Sequence, residues 1–200
     1  MGAPLQSIQK ERGGFRLTGG KKILFCEKLV NASGAWAAHL SEKAGAQRIP
    51  LIPYQRHLFW SRSLGRISAQ WPFVWHVSHD FYFRPDKNSL MLSPCDKTSY
   101  GNEKIDPKME NMLKRKLAKF SNYFKAMKFY EAKAGLRTMA PDGRFVIGED
   151  PKLPHFYWVA GLGGHGVTTS FSVGELASDI ILGYSKDARL NRAFSPERFC

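Results

Sequence analysis

Apolar residues recur at helical spacing over one long stretch in the middle of the chain. Most intervals within this stripe are three or four residues, which places the side chains on one side of a helix. Asp106 and Pro107 suit the N-cap and the first helical position. The pattern predicts a helix from residue 107 to about residue 125, with its lysines and Arg115 facing solvent. The stripe, which we expect to be buried, consists of Met109, Met112, Leu113, Leu117, Phe120, Phe124 and Met127.

The stretches before this helix have a different character. The segments "RIPLIPYQRHLFWSR", "WPFVWHVSHDFYFRPD" and "SLMLSPCD" are rich in β-branched and aromatic residues and are bounded by Pro, Asp, Asn and Gly. Such segments are typical of antiparallel strands, and "RPDKNS" is a turn between two of them.

Turn residues divide the two ends of the chain into shorter elements. Gly19 and Gly20 predict a hairpin, and Gly45 ends a short helix in "AWAAHLSEKAG". After the long helix come a strand, a Pro-Asp-Gly turn, a short strand and the strand "FYWVAG". A last helix, capped by Thr168 or Thr169, should end near Gly183. The tail over residues 184–200 has no strong period.

The stretch "GLGGHGVTTS" contains the pattern G-x-G-x-x-G at Gly161, Gly163 and Gly166. A dinucleotide-binding unit also needs a second parallel strand that ends in an acid about 20 residues later. Asp187 has that spacing, but "GYSKDARL" is not a strand. We therefore interpret the match as accidental. Two alternatives stay open: a plain strand-to-helix turn, and a turn whose backbone N–H groups and helix dipole favour a negatively charged ligand.

Composition narrows the function classes. The formal net charge is +13, which suits nucleic acid, an anionic cofactor or an acidic partner, or simply a solvated helix face. No zinc, helix-turn-helix or RNA-recognition signature accompanies it, so we expect no nucleic-acid partner. The widely spaced Cys26, Cys95 and Cys200 predict free thiols and no metal site. Neither a transmembrane run nor a signal peptide is present, and we expect a cytoplasmic protein.

Four segments together resemble the C-terminal half of the D-amino acid oxidase superfamily of flavoproteins, especially its D-arginine dehydrogenase-like and glycine oxidase-like branches. They are "LVNASGAWAAHLSEKAG", "IPLIPYQRHLF", "AGLRTMAPDGRFVIGEDP" and "FYWVAGLGGHGVTTSFSVGELASDIILG". The resemblance implies an α+β fold: an antiparallel substrate domain with flanking helices, plus the C-terminal part of an FAD-binding α/β domain. The expected division is 1–46 and 146–200 for the FAD-binding segments and 47–145 for the substrate domain.

The resemblance also implies FAD as cofactor and oxidation of an amino acid or related amine by hydride transfer. Arg137 resembles the arginine that binds the substrate carboxylate, while Tyr82 and Arg56 resemble further substrate contacts. His165 lies where related dehydrogenases often have tyrosine. We expect Arg137 and Tyr82 to share a cavity, and we assign no catalytic residue. The expected cofactor contacts are Ala32, Ser33, Gly34, Trp36, Gly163, Gly164, His165, Gly166, Val167 and Thr168.

The resemblance covers only about half of a family enzyme, without the first half that carries the true dinucleotide fingerprint. We therefore expect this chain by itself to hold FAD weakly and to lack activity, unless a separate chain supplies the missing half. The alternative is a truncated, non-catalytic domain that acts as a binding or interaction protein.

Overall fold

A computed structural model of the protein describes residues 4–62, 67–99 and 104–200. The parts of the predicted domains that fall on residues 1–3, 63–66 and 100–103 lie outside this description. The strands are β1 (Ser7–Glu11), β2 (Gly14–Gly19), β3 (Lys22–Cys26), β4 (Leu29–Asn31), β5 (Ile52–Ser61), β6 (Val74–His76), β7 (Phe81–Asp86), β8 (Ser89–Ser93), β9 (Thr98–Ser99), β10 (Phe129–Met139), β11 (Val146–Glu149) and β12 (Phe156–Ala160). The α-helices are α1 (Ala37–Ala44), α2 (Pro107–Phe120), α3 (Ser170–Leu182) and α4 (Ala188–Phe194).

The chain forms two compact units. Unit 1 consists of residues 1–53 and 137–200, and unit 2 of residues 54–136. Unit 1 combines an antiparallel and a mixed sheet with helices, and unit 2 combines an antiparallel sheet with α2, so the predicted α+β class is confirmed. The assignment of residues 1–46, 47–145 and 146–200 to an FAD-binding and a substrate domain stays a prediction.

Unit 1 contains two small sheets. Strands β1, β2 and β3 form an antiparallel meander, as the Gly19-Gly20 turn predicts. The second sheet has the order β11-β12-β4, in which β12 pairs antiparallel with β11 and parallel with β4. The core packs Phe15, Phe156 and Trp158 against α1. A parallel pair between strands so distant in sequence is a tertiary feature that no local pattern indicates.

Unit 2 is built around an antiparallel sheet of order β10-β5-β8-β7-β6, with β9 also paired to β5. Leu113 and Leu117 of α2 are fully buried and pack with Phe59, Phe83 and other apolar side chains of the sheet. The antiparallel strands predicted before the long helix are thus confirmed, and α2 covers one face of their sheet.

The predicted end of α2 was wrong by five residues. Asp106 caps the helix as expected, with its Oδ1 accepting from the Lys108 N–H at 2.9 Å. The helix ends at Phe120 because Ser121 is extended and its hydroxyl accepts from the Tyr123 N–H. Phe124 and Met127 are buried as predicted, but they come from the 3-10 turn Asn122–Phe124 and the loop after it. The predicted burial of Phe120 was wrong, because this last residue of the helix is 41% exposed.

The end of the chain holds two further differences. Gly183 ends α3 in the left-handed conformation and Thr169 occupies its N-cap position, both as predicted, but the Thr169 side chain makes no capping hydrogen bond. The hydroxyls of Thr168 and Thr169 instead donate to the His165 carbonyl, at 3.0 and 2.7 Å. The tail contains α4, capped by the Asp187 carboxylate, although its sequence shows no clear period.

Candidate functional site

Two turns proposed to contact a cofactor lie at the same edge of one sheet. Strand β4 runs parallel to β12, with Asn31 opposite Trp158, so the carboxyl ends of the two strands are neighbours. Residues 32–36 follow β4 and residues 161–168 follow β12. In α/β sheets, ligands bind at the carboxyl ends of parallel strands. This arrangement brings the two predicted groups of cofactor-contacting residues together in unit 1.

Asn31 fixes the shape of the first turn. Its side chain is buried, donates to the Ala37 carbonyl at 2.9 Å and accepts from the Ser33 hydroxyl at 2.7 Å. Gly34 has a positive φ of 58° and opens the 3-10 turn Gly34–Trp36. The Trp36 side chain is 55% exposed. The turn is therefore held from within, while Ala32, Gly34 and Trp36 face outward.

The second turn presents a group of backbone donors. A turn that binds a cofactor is expected to keep the N–H groups of residues 163–168 unpaired. This expectation is wrong for Gly163 and His165, which donate to the carbonyls of Thr138 and Leu162. The remaining N–H groups of the turn have no hydrogen-bond acceptor within residues 4–62, 67–99 and 104–200. They belong to Gly164, Gly166, Val167 and Thr168 and lie just before α3.

Arg137 packs its guanidinium against Gly164. A Cβ atom built on Gly164 would lie 2.7 Å from Arg137 Cζ and 2.9 Å from each terminal nitrogen. The guanidinium therefore fills the space that a side chain would take. Together, the cation, the four N–H groups and the positive end of the α3 dipole make this part of unit 1 suited to negative charge.

Arg56 and Tyr82 share one face of the unit 2 sheet. Tyr82 pairs with Ser93, and two residues further along Arg84 pairs with Met91, which in turn pairs with Trp60. Arg56 precedes Trp60 by four residues on β5, so it points to the same side. Both residues are half-buried. Because Arg137 belongs to unit 1, its predicted shared cavity with Tyr82 stays a prediction.

Arg56 acts electrostatically on the thiol of Cys95, which lies two residues after the end of β8. Burial, together with the nearby Asp80 carboxylate, raises the pKa of the Cys95 thiol to about 11, while Arg56 opposes this shift. The thiol is therefore protonated at neutral pH and is not a nucleophile. The Nε atom of Arg56 is itself buried, and no described residue accepts a hydrogen bond from it.

Two absences apply to the part of the chain that the structure describes. It contains no group of three or more His, Cys, Asp or Glu side chains placed to hold a metal ion. None of its helices is both long enough and apolar enough to cross a membrane. The imidazole of His165 is exposed beside the glycine turn.

The comparison with family sequence models identifies the chain. Residues 1–180 match the model described as "FAD dependent oxidoreductase" (DAO). The chain belongs to this family. FAD is the cofactor of the family, and the two turns at the sheet edge are the part of unit 1 whose chemistry fits it.

The curated relatives that the chain matches are longer than the chain. It is 26% identical to the glycine oxidase of Bacillus licheniformis over 198 residues, which are 98% of this chain and 52% of the relative. It is 25% identical to the bovine FAD-dependent oxidoreductase domain-containing protein 1, over 78% of the chain and 36% of the relative. The chain thus spans about half the length of the glycine oxidase and about a third of the bovine protein.

Solved structures of other proteins share the fold. The L-proline dehydrogenase from P. horikoshii superposes with a TM-score of 0.85 at 20% identity, over 98% of this chain and 54% of that one. The glycine oxidase from Geobacillus kaustophilus gives a TM-score of 0.81 at 20% identity, over 96% and 51%. At this identity the likeness shows the fold alone.

Sequence reasoning missed two aromatic residues beside Tyr82. Trp75 pairs directly with Tyr82 across β6 and β7, and the Phe73 ring centroid lies 5.2 Å from that of Tyr82. The signal was present in the sequence, because large apolar residues alternate at positions 71, 73, 75 and 77. This alternation predicts a strand but does not show which of its faces stays uncovered.

Proposed function

We propose that this chain forms the flavin-ring and substrate-binding part of an FAD-dependent oxidoreductase that oxidises an amino acid or a related amine. The observation that carries the proposal is the seating of Arg137 on Gly164, next to a row of N–H groups without acceptors among the described residues. In the predicted division, residues 1–46 and 146–200 belong to the FAD-binding domain and residues 47–145 to the substrate domain.

The residues of unit 1 fit a flavin ring. When bound, FAD supplies the acceptor for a hydride that leaves the substrate α-carbon, while the amine nitrogen loses a proton and an imine forms. The N–H groups of Gly164, Gly166, Val167 and Thr168 would stabilise negative charge on the flavin ring. The α3 dipole favours charge at that same position. The turn over Ala32, Ser33, Gly34 and Trp36 supplies a second backbone contact.

The substrate is held by its carboxylate. The Arg137 guanidinium offers a planar pair of donors that matches a carboxylate, and Gly164 leaves room for it. We also propose Arg56 and Tyr82 of unit 2 and His165 of the glycine turn as substrate contacts. These residues bind and orient the substrate, and we assign none of them as catalytic acid or base.

A flavin competition experiment tests this proposal. We expect lumiflavin and FAD to bind the 200-residue chain with similar, weak affinity, and ADP not to compete. The reason is that the adenine and pyrophosphate contacts of the family belong to the half that this chain does not match. Binding is measured by the change in flavin fluorescence. Absence of any lumiflavin binding at millimolar concentration would contradict the proposal.

One observation favours a second candidate function, a non-catalytic interaction protein. Large apolar side chains are exposed around the glycine turn, with Val167 at 90% and Phe171 at 82%. Exposed apolar surface of this kind marks a place where another polypeptide binds. A chain that binds no flavin but forms a stoichiometric complex with a second polypeptide would support this alternative.

A further inference from the structure

The two faces of the unit 2 sheet carry different side chains. One face packs Phe59, Phe83 and Leu92 against α2. The strand pairing puts Trp75, Tyr82 and Ser93 side by side on the other face, together with Arg56. This second face therefore holds a cation and several aromatic groups.

The aromatic groups of this face are exposed although they are large and apolar. Trp75 is 58% exposed and Phe73 is 55% exposed. The Phe73 ring lies against Tyr82 at 5.2 Å, and Trp75 flanks Tyr82 on the neighbouring strand. We call Phe73, Trp75 and Tyr82 the aromatic shelf. A flat apolar ligand group would remove much of this surface from water.

The polar partner of the shelf is Arg56. Its Nε atom is buried and has no acceptor among the described residues. Its charge also acts on Cys95, which lies two residues beyond Ser93, the strand partner of Tyr82. A buried N–H of a cation is costly without an acceptor, and a carboxylate is the acceptor that suits a guanidinium.

We propose that the aromatic shelf determines substrate specificity, by selecting carboxylates that carry an aromatic or bulky apolar group. The inference rests on the proposed function, in which Arg56 and Tyr82 contact the substrate carboxylate. With the carboxylate at Arg56, an aromatic side chain packs on Phe73 and Trp75. A substrate as small as glycine leaves both rings in water and gains nothing from them.

Three small probes separate the two parts of this site. Acetate carries only the carboxylate, 2-phenylethanol only the ring, and phenylacetate both. Their dissociation constants for the 200-residue chain can be measured by ligand-observed NMR. We expect phenylacetate to bind about tenfold or more tightly than acetate, since burial of even part of a phenyl group is worth at least one factor of ten.

Single substitutions test whether the aromatic shelf causes the preference for phenylacetate over acetate. Trp75→Ala should remove most of the difference between phenylacetate and acetate, and Phe73→Ala should reduce it. Trp71→Ala is the matched control, because Trp71 is also a partly exposed tryptophan, at 43%. It lies on the α2 side of the sheet, where it lines a 510 Å³ groove with Val74 and Phe83. That variant should keep the preference. Thermal unfolding verifies that each variant is folded.

The possible results distinguish the inference from the proposed function. Equal affinities for phenylacetate and acetate would contradict the role of the aromatic shelf in specificity, and so would a preference that survives Trp75→Ala. Neither result would contradict the proposed carboxylate site. Equal affinities for phenylacetate and 2-phenylethanol would instead contradict the carboxylate roles proposed for Arg56 and Arg137. Failure of all three probes to bind would overturn both.

Discussion

The guanidinium of Arg137 occupies the place of the side chain that Gly164 lacks, with Cζ 2.7 Å from the position of the missing Cβ. Gly164 does not have a positive φ, so its backbone would accept alanine. What the glycine provides is space. This makes Gly164 a positioning residue for Arg137, and the relation can be tested without disturbing the fold.

We predict that Gly164→Ala weakens acetate binding by about tenfold, the loss of one charge-assisted hydrogen bond. The flexible guanidinium can move aside, so the free energy of unfolding should change by less than about 0.5 kcal/mol. Gly135→Ala is the control, because a Cβ there meets nothing within 4 Å. NMR titration and urea unfolding measure the two quantities. Unchanged acetate affinity in Gly164→Ala would remove the positioning role.

Asp150 is the most heavily bonded carboxylate of unit 1. It is buried and accepts from the backbone N–H groups of Gln47 and Leu153 at 2.9 and 2.8 Å and from Trp158 Nε1 at 2.8 Å. We predict that Asp150→Asn lowers the free energy of unfolding by about 2–4 kcal/mol. The reason is that the amide nitrogen of asparagine is a donor and would face N–H groups that the carboxylate oxygens now accept from.

Urea unfolding measures this loss, and the neighbouring acid provides the control. Glu149 is exposed and accepts one backbone hydrogen bond, from His155. Glu149→Gln should cost less than about 1 kcal/mol. Similar losses of unfolding free energy in the two variants would contradict the prediction, because the buried hydrogen bonds of Asp150 would then stabilise the protein no more than the exposed bond of Glu149.

The pair Asp142–Arg198 ties the C-terminal tail to the turn before β11. Arg198 Nε donates to Asp142 at 2.7 Å, and this contact holds the pKa of the Asp142 carboxyl below its ordinary value. A lowered folded-state pKa stabilises the protein above the unfolded pKa of about 3.9, and this stability is lost as the pH falls through the folded value.

We therefore predict that wild type is more stable than Asp142→Asn at pH 7 and that the difference shrinks below about pH 4. Unfolding curves at a series of pH values measure it. Arg198→Lys keeps the charge but loses the guanidinium that also donates to the Phe145 carbonyl. This variant should therefore be less stable than wild type both at pH 7 and below about pH 4. A constant difference between wild type and Asp142→Asn at all pH values would contradict the prediction.

His57 links the loop that holds Asp96 to the start of α2. Its ring shares a 2.7 Å hydrogen bond with Asp96 through Nδ1, while its Nε2 accepts from the Asp106 N–H at 3.1 Å. We predict that His57→Phe speeds amide exchange at Asp106 and lowers stability by about 1–3 kcal/mol, because Asp96 and the Asp106 N–H lose their partners. Hydrogen exchange measures the first effect, and the exposed His39→Ala is the control. Unchanged exchange at Asp106 would refute the link.

The sequence by itself determined the features that depend on neighbouring residues. The stripe Met109, Leu113 and Leu117 gave the buried side of α2, and Gly45 and Gly183 ended α1 and α3 in left-handed turns as expected. The motifs also indicated the family to which residues 1–180 belong. The end of α2 was missed because Ser121 exchanges a helical bond for a local side-chain bond, a choice that periodicity does not reveal.

Only the tertiary structure decided which distant residues meet. The parallel pairing of β4 with β12 places the turn after Asn31 beside the turn after Ala160, and the path of β10 brings Arg137 onto Gly164. The register of strand pairs decided that Phe73 and Trp75 lie beside Tyr82. Helix caps and hydrophobic periods act over a few residues, whereas strand register is set by packing between segments far apart in the chain.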